Sequence, residues 1–187
     1  MTDILDLLFS SPNSAIFIVS DTEVGKIHTT HLVWTDTKGN AVPAPFALRN
    51  SIDEQALLLK YANSINDLMV KFVRKDTYDD NEMLVMERLY PISADDLTKE
   101  EKQKFLSDFE EKIKALHEAD FIHGDILRPR TRPPECFDNI VLTKDGFRLV
   151  DADFSIRMKR DNIREFVYKK RDEEGELEAF KSYFLGV

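Results

Sequence analysis

The chain has 187 residues, 42% hydrophobic and 33% charged, which is typical of a soluble globular protein with one domain or two small lobes. Its formal net charge of −9 argues against binding to nucleic acid or anionic membranes, because both need a positive field. Cys136 is the only cysteine, which excludes an intramolecular disulfide. Asp3 and Asp6 stand where a secretory signal carries Lys or Arg, and the apolar run at 15–19 is far shorter than the roughly 20 residues of a membrane span. We therefore expect a cytoplasmic protein.

The first ninety residues predict a small antiparallel sheet and one helix. Asp3–Phe9 has the pattern of a short amphipathic helix. Ser51-Ile52-Asp53-Glu54 matches a capping box, and the helix that it starts should continue to about Ala62. Five extended runs are expected, at residues 15–19, 31–34, 46–48, 68–73 and 83–86.

The second half predicts helices around one hairpin. A capping box at Thr98 and the stripe Phe105, Phe109, Ile113 and Leu116 predict a helix that ends near Glu118. The other expected features are an extended segment at 121–122, irregular chain between 126 and 137, a hairpin over 140–150 and a charged helix over 162–184. We expect two lobes, residues 1–90 and 91–187, with the boundary near 89–95.

Polar residues cluster in sequence around the predicted hairpin. His123-Gly124-Asp125 follows the long helix, Asn139 precedes the hairpin, and Asp151-Ala152-Asp153 follows it. Because the ends of a hairpin meet, Asn139 and Asp151 should lie side by side although twelve positions separate them.

This order resembles the catalytic loop and metal-binding residues of the protein-kinase-like superfamily, in the form found in aminoglycoside and choline kinases, small atypical kinases and certain fungal kinase-like proteins. The resemblance implies an α+β, bilobal, minimal kinase fold with a five-stranded antiparallel first lobe and a truncated helical second lobe. It implies ATP and Mg²⁺ as cofactors. Asp125 would be the base, Asn139 and Asp151 would bind the metal, and Asp153 would add a ligand.

The first lobe carries a weaker resemblance. Phe46-Ala47-Leu48-Arg49 resembles the third-strand Val-Ala-Ile-Lys motif, with Arg49 where the family has its phosphate-binding lysine. Glu54 would then be the partner of Arg49, or only the capping-box glutamate. Gly25 and Lys26 lie in the segment 24–31, which we interpret as the phosphate loop between the first two strands; a solvated turn is the alternative for Lys26. The backbone of Glu87 to Leu89 would meet the adenine ring.

Three hypotheses for function follow from these residues. The first is ATP- and Mg-dependent phosphotransfer to a protein Ser/Thr or a small-molecule hydroxyl. The second is a pseudokinase that acts as a regulatory module, because Arg49 replaces lysine and few glycines remain in the phosphate loop. The third is an effector that binds a protein partner through the same two lobes. The arginines of the insert 128–134 could grip a phosphate or pair with the many carboxylates of the chain.

Overall fold

The computed structural model describes residues 5–10, 14–28, 33–35, 41–43, 50–127 and 132–186, with the backbone alone at 33–35 and 41–43. Arg49 and residues 128–131 of the arginine- and proline-rich insert lie outside these ranges. The described part contains eleven strands and three α-helices. None of its helices is long and apolar enough to cross a membrane.

A five-stranded antiparallel sheet forms the first part of the molecule. Its spatial order is β1-β2-β3-β7-β6, and a separate short hairpin, β4–β5, follows β3 in the chain. The predicted five-stranded sheet is therefore confirmed, although its membership differs from the prediction. The strands of this part are β1 (Asp6–Ser10), β2 (Ser14–Ile18), β3 (Glu23–His28), β4 (Val33–Thr35), β5 (Ala41–Pro43), β6 (Phe72–Tyr78) and β7 (Asn81–Glu87).

Two members of this sheet were not predicted as strands. The helix predicted at Asp3–Phe9 is wrong, because residues 6–10 form β1, an edge strand whose residues are all exposed. The phosphate loop predicted between 24 and 31 is also wrong as a location, because residues 23–28 form β3 in the middle of the sheet. The run predicted at 46–48 lies outside the described residues. The predicted run at 31–34 is met in part by β4.

The helix α1 (Ile52–Asn63) lies between β5 and β6 in the chain. Ser51 accepts from the backbone N–H of Glu54, and Glu54 accepts from the N–H of Ser51, so both bonds of the predicted capping box are present. Its buried face carries Ile52, Gln55, Ala56, Leu59 and Ala62. Gln55 is the one amide in this apolar stripe, and it faces the site described below.

The second part of the molecule is built on two long helices and a hairpin. Helix α2 (Lys99–Glu118) starts at the predicted capping box of Thr98, and helix α3 (Ile163–Leu185) occupies the predicted tail. The hairpin joins β9 (Ile140–Thr143) to β10 (Gly146–Leu149). A second small sheet pairs β8 (Phe121–Ile122) with β11 (Ile156–Arg157).

Aromatic rings fill the space between the hairpin and the two long helices. Phe109 of α2 packs against Phe147 of β10 and Phe180 of α3, with ring centroids 5.1 and 5.6 Å apart. Such tilted and edge-on pairs contribute beyond their buried area. The helices therefore hold the hairpin, and its open end carries the candidate site.

Backbone hydrogen bonds join the hairpin to the first part of the chain. The N–H of Leu149 donates to the carbonyl of Leu68, and the N–H of Val70 donates to the carbonyl of Leu149. Leu68 and Leu149 are fully buried, in one continuous core that also includes residues of α1 and α2. The boundary of the two lobes near 89–95 stays a prediction.

Candidate active site

Lys26 on β3 is the most buried cation of the site, with 2% of its surface exposed. Its Nζ lies 2.7 Å from Oδ1 of Asp151 and 2.9 Å from Oδ1 of Asp153. It also donates to Oε1 of Gln55 at 3.2 Å. A buried ammonium needs paired carboxylates and further hydrogen bonds to offset its lost hydration, and Lys26 has both. The alternative of a solvated turn lysine is therefore wrong.

Gly25 is held in β3 by packing. A Cβ atom at this position would lie 2.3 Å from Sδ and 2.9 Å from Cγ of Met83, on the neighbouring strand β7. Only glycine leaves room for that side chain without a shift. Its role in the structure is thus close contact between β3 and β7, instead of the phosphate-loop turn that we expected.

Asp153 is the more deeply buried of the two carboxylates that bind Lys26. Its Oδ1 accepts from Lys26, and from Nε2 of Gln55 at 2.6 Å; Nε2 of His28 lies 3.3 Å away. Burial alone would raise the pKa of Asp153, but the hydrogen bond from His28 and the charge of Lys26 outweigh it and lower the pKa from 3.8 to about 2. The carboxylate is therefore ionised in the folded protein at neutral pH.

Asp151 has a different environment two residues earlier. Its side chain is 32% exposed, against 7% for Asp153. Its backbone has a φ of 67°, in the left-handed region that costs a non-glycine residue energy and that occurs disproportionately at functional sites. Oδ1 of Asp151 also accepts from the backbone N–H of Asp153 at 2.9 Å, so the Asp151 side chain and the Asp153 backbone close a compact turn.

The catalytic-loop residues lie at the open end of the hairpin. Nδ2 of Asn139 donates to the carbonyl of Asp125 at 2.7 Å and to Oδ2 of Asp125 at 3.1 Å. The N–H of Val150 donates to the carbonyl of Asn139, which sets Asn139 beside the strand end that leads to Asp151. Nε2 of His123 donates to the carbonyl of Val150 at 2.9 Å. The hairpin thus joins the three predicted segments, as expected from the sequence.

Two carboxylates of α3 accept hydrogen bonds from N–H groups of this loop, and sequence reasoning did not identify them. Glu173, 2% exposed, accepts from Nε2 of His117 at 2.9 Å and from the N–H of Gly124 at 2.6 Å. Burial raises the pKa of Glu176, which accepts from the N–H of Leu127. Glu173 falls on the apolar stripe of α3 with Phe166, Leu177 and Phe180, and a charge on such a stripe is the signal that could have revealed it.

Glu54, the expected partner of the phosphate-binding cation, is outside the buried ion pair. It is exposed at the start of α1, and hydrogen bonds from Ser51 lower its pKa. The capping-box interpretation of Glu54 is therefore the one that the structure supports. The next residue, Gln55, faces Lys26 instead.

The segment 87–89 links the two parts of the chain. The N–H of Glu87 donates to the carbonyl of Lys71, and the N–H of Arg88 donates to the carbonyl of Thr22. The Glu87 carboxylate pairs with Arg148 of the hairpin. Within the described ranges, the N–H of Leu89 makes no backbone hydrogen bond, and this residue is half-buried.

Two oxygen donors at the open end of the hairpin, from Asn139 and Asp151, are the ones that would hold Mg²⁺. Among the described residues, no group of three or more His, Cys, Asp or Glu is arranged to hold a metal. Mg²⁺, however, binds one or two protein oxygens and fills its octahedron with water and phosphate oxygens. Asn139 uses its amide nitrogen on Asp125, which leaves its amide oxygen for another partner, and Asp151 offers a partly exposed carboxylate. This pair fits the ion.

These elements define a minimal bilobal kinase-like fold. Among solved structures, the chain is similar to Rio2 kinase from Chaetomium thermophilum, in its ADP/Mg²⁺-phosphoaspartate complex, with a TM-score of 0.60 and 15% sequence identity. The match covers 95% of this chain and 54% of that chain, so this chain spans about half the length of the Rio2 kinase chain. No protein-family model and no curated protein matches this chain.

Proposed function

We propose that the chain binds Mg-ATP at Lys26 and transfers its terminal phosphoryl group to a hydroxyl acceptor, on a protein or a small molecule. The observation that carries this proposal is the buried Lys26, paired with two carboxylates beside a hairpin that holds Asn139 against Asp125. Phosphoryl transfer needs little covalent chemistry from a protein; it needs positioning and charge neutralisation, and these residues supply both.

Each residue has one task in this reaction. Lys26 binds phosphate oxygens, in place of the Arg49 that the sequence suggested. Asn139 and Asp151 hold Mg²⁺, which neutralises charge on the transferring phosphoryl group when it is bound. Asp125 accepts the proton of the acceptor hydroxyl, and the hydrogen bond from Asn139 orients its carboxylate. The N–H of Leu89 is available to the adenine ring.

The test is incorporation of label from γ-labelled ATP into the chain itself and into generic protein acceptors, with and without Mg²⁺. Wild type should incorporate label only with Mg²⁺. Asp125→Ala should lose at least about a hundredfold, the usual contribution of an acid–base group. Asp151→Ala should lose the Mg²⁺-dependent rate, because it removes a residue that would hold the metal. Asp108→Ala, an exposed carboxylate on α2, is the matched control and should keep the full rate. Equal incorporation by all four proteins would contradict the proposal.

A pseudokinase is the second candidate, and one sequence feature favours it. With β1 and β2 at 6–10 and 14–18, the connection between them is Ser11-Pro12-Asn13, which contains no glycine. Glycine allows a backbone to approach phosphates closely, and a connection without glycine binds phosphates less well. A thermal-shift titration separates the two candidates. A Mg²⁺-dependent rise in melting temperature with ATP supports nucleotide binding, and no shift at millimolar ATP supports a binding module without nucleotide.

A further inference from the structure

Around Lys26, helix α1 contributes a neutral group, and the turn after β10 contributes both negative charges. Helix α1 presents a neutral amide, Gln55, to the lysine at 3.2 Å. A neutral amide accepts a hydrogen bond but does not balance the buried positive charge. Both carboxylates that balance it, Asp151 and Asp153, belong instead to the turn after β10. Within the described residues these two are the only carboxylates paired with Lys26.

The two carboxylates are not equivalent. Asp153 is nearly buried and its Oδ1 is already engaged by Lys26 and Gln55, so this oxygen is poorly placed to take a metal as well. Asp151 is about a third exposed, and its engaged oxygen is also Oδ1. A cation that takes Asp151 would compete with Lys26 for that carboxylate. Lys26 would then still have a permanent counter-ion in Asp153.

We infer that Asp153 is a positioning residue that holds Lys26 in place of a helix carboxylate, and that Asp151 alone of the pair serves the metal. The inference deepens the proposed function and rests on it for the metal half only. It also replaces our expectation that Asp153 is a metal ligand. The lysine and the metal carboxylate are thereby fixed by the same turn, and the helix adds only the neutral Gln55.

The backbone around Asp153 supports this assignment. The N–H of Asn50 donates to the carbonyl of Asp153 at 2.7 Å. Nδ2 of Asn50 donates to the carbonyls of Ala152 and Ser155, both at 2.8 Å. Asn50 therefore ties the whole turn to the start of α1. A consequence is that Lys26 keeps its counter-ion whenever this turn is folded, without a charged group on α1.

The first experiment uses the protein without nucleotide or metal, so it is independent of the proposed function. The ammonium group of a buried, ion-paired lysine exchanges slowly with water and is visible by proton–nitrogen NMR. We expect one such signal in wild type, assigned by its absence in Lys26→Arg. Asp151→Asn should retain it, since Asp153 still balances the lysine, and Gln55→Met should retain it too. Replacing both Asp151 and Asp153 by Asn should abolish it, and adding Gln55→Glu to that pair should restore it, because a carboxylate then returns on the helix.

Two results would overturn the inference. One is an ammonium signal that is already lost in folded Asp151→Asn, and the other is a signal that survives when both Asp151 and Asp153 are replaced by Asn. If the variant without both aspartates does not fold, Asp151→Asn and Gln55→Met decide, since loss of the signal in either would show that Asp153 alone does not hold the lysine.

The second experiment separates the metal from the lysine by titration of Mg²⁺ and ATP. Asp153→Asn should raise the KM for ATP about tenfold or more and leave the Mg²⁺ concentration at half-maximal rate within twofold of wild type. Asp151→Asn should shift the Mg²⁺ dependence instead. The same Mg²⁺ shift in both variants would contradict the division of roles. Absence of any turnover in wild type would contradict the proposed function and leave the NMR result standing.

Discussion

The two ends of the candidate site are held in place by different means. At the Lys26 end, charged side chains pair with one another in a buried cluster. At the Asp125 end, N–H groups of the loop are held by acceptors from other elements. Glu173 of α3 accepts from the backbone N–H of Gly124, and the carbonyl of Val150 accepts from the His123 side chain. Loss of one partner in the first case leaves an unpaired buried charge. Loss of one partner in the second case leaves unsatisfied N–H groups, which cost less.

The largest effect is expected at the charged end. Lys26→Met should lower the free energy of unfolding by about 3 to 5 kcal/mol, because it leaves Asp151 and Asp153 close together without their cation. The measurement is urea unfolding at pH 7. Lys104→Met, an exposed lysine on α2, should change stability by less than about 0.5 kcal/mol. Similar values for the two variants would contradict the importance of the buried cluster.

A glycine at the other end provides a backbone test. Gly124 has a φ of +80°, and a Cβ there would lie 2.5 Å from the carbonyl oxygen of Phe154. Gly124→Ala should therefore cost about 2 to 3 kcal/mol. Gly175→Ala is the matched control, because Gly175 lies within α3 with open space around it. That change should stabilise by about 0.5 to 1 kcal/mol, and a loss of stability there would count against the description of α3.

The support that α3 gives to the loop is tested by Glu173→Ala. The change removes the acceptor of His117 and of the N–H of Gly124, and it should cost about 2 kcal/mol. The exposed neighbour Glu174 is the control, and its replacement by alanine should have little effect. Protection of the Gly124 amide from hydrogen exchange should fall in the first variant only. Unchanged protection would show that Glu173 does not hold the loop.

The stability of the Lys26 end should depend on pH through Asp153. Because the pKa of Asp153 is lowered in the folded state, from 3.8 to about 2, its contribution to stability is present above pH 4 and is lost as the pH falls toward 2. The contribution is about 2 kcal/mol. In EDTA, the free energy of unfolding of wild type should fall more steeply over this interval than that of Asp153→Asn. Parallel curves would show that the carboxylate has its ordinary pKa in the folded protein.

Local signals predicted the elements whose formation depends on neighbouring residues. The capping boxes at Ser51 and Thr98 begin α1 and α2, as predicted, and the hairpin brings Asn139 to the start of the segment that carries Asp151. In each case the information lies within a few residues of sequence. The spacing therefore predicted that Asn139 and Asp151 lie near each other, whereas the roles of these residues and of Asp125 are implied only by the resemblance.

The first-lobe residues depend on long-range contacts, which a single sequence does not display. Lys26 and His28 occupy inward positions of β3, so the strand has polar residues where apolar ones are expected, and it resembles a turn. Its partners Asp151 and Asp153 are more than a hundred positions away. β1 was mistaken for a helix because its apolar residues are consecutive and lie at an exposed sheet edge.

The most direct test of the central claim is a crystal structure with ADP and Mg²⁺. We expect Nζ of Lys26 within hydrogen-bond distance of a phosphate oxygen and Mg²⁺ bound by Asn139 and Asp151. Asp153 should remain on Lys26 without touching the metal. Phosphates bound by Arg49 with Lys26 still closed on Asp151, or a nucleotide bound elsewhere, would contradict the account.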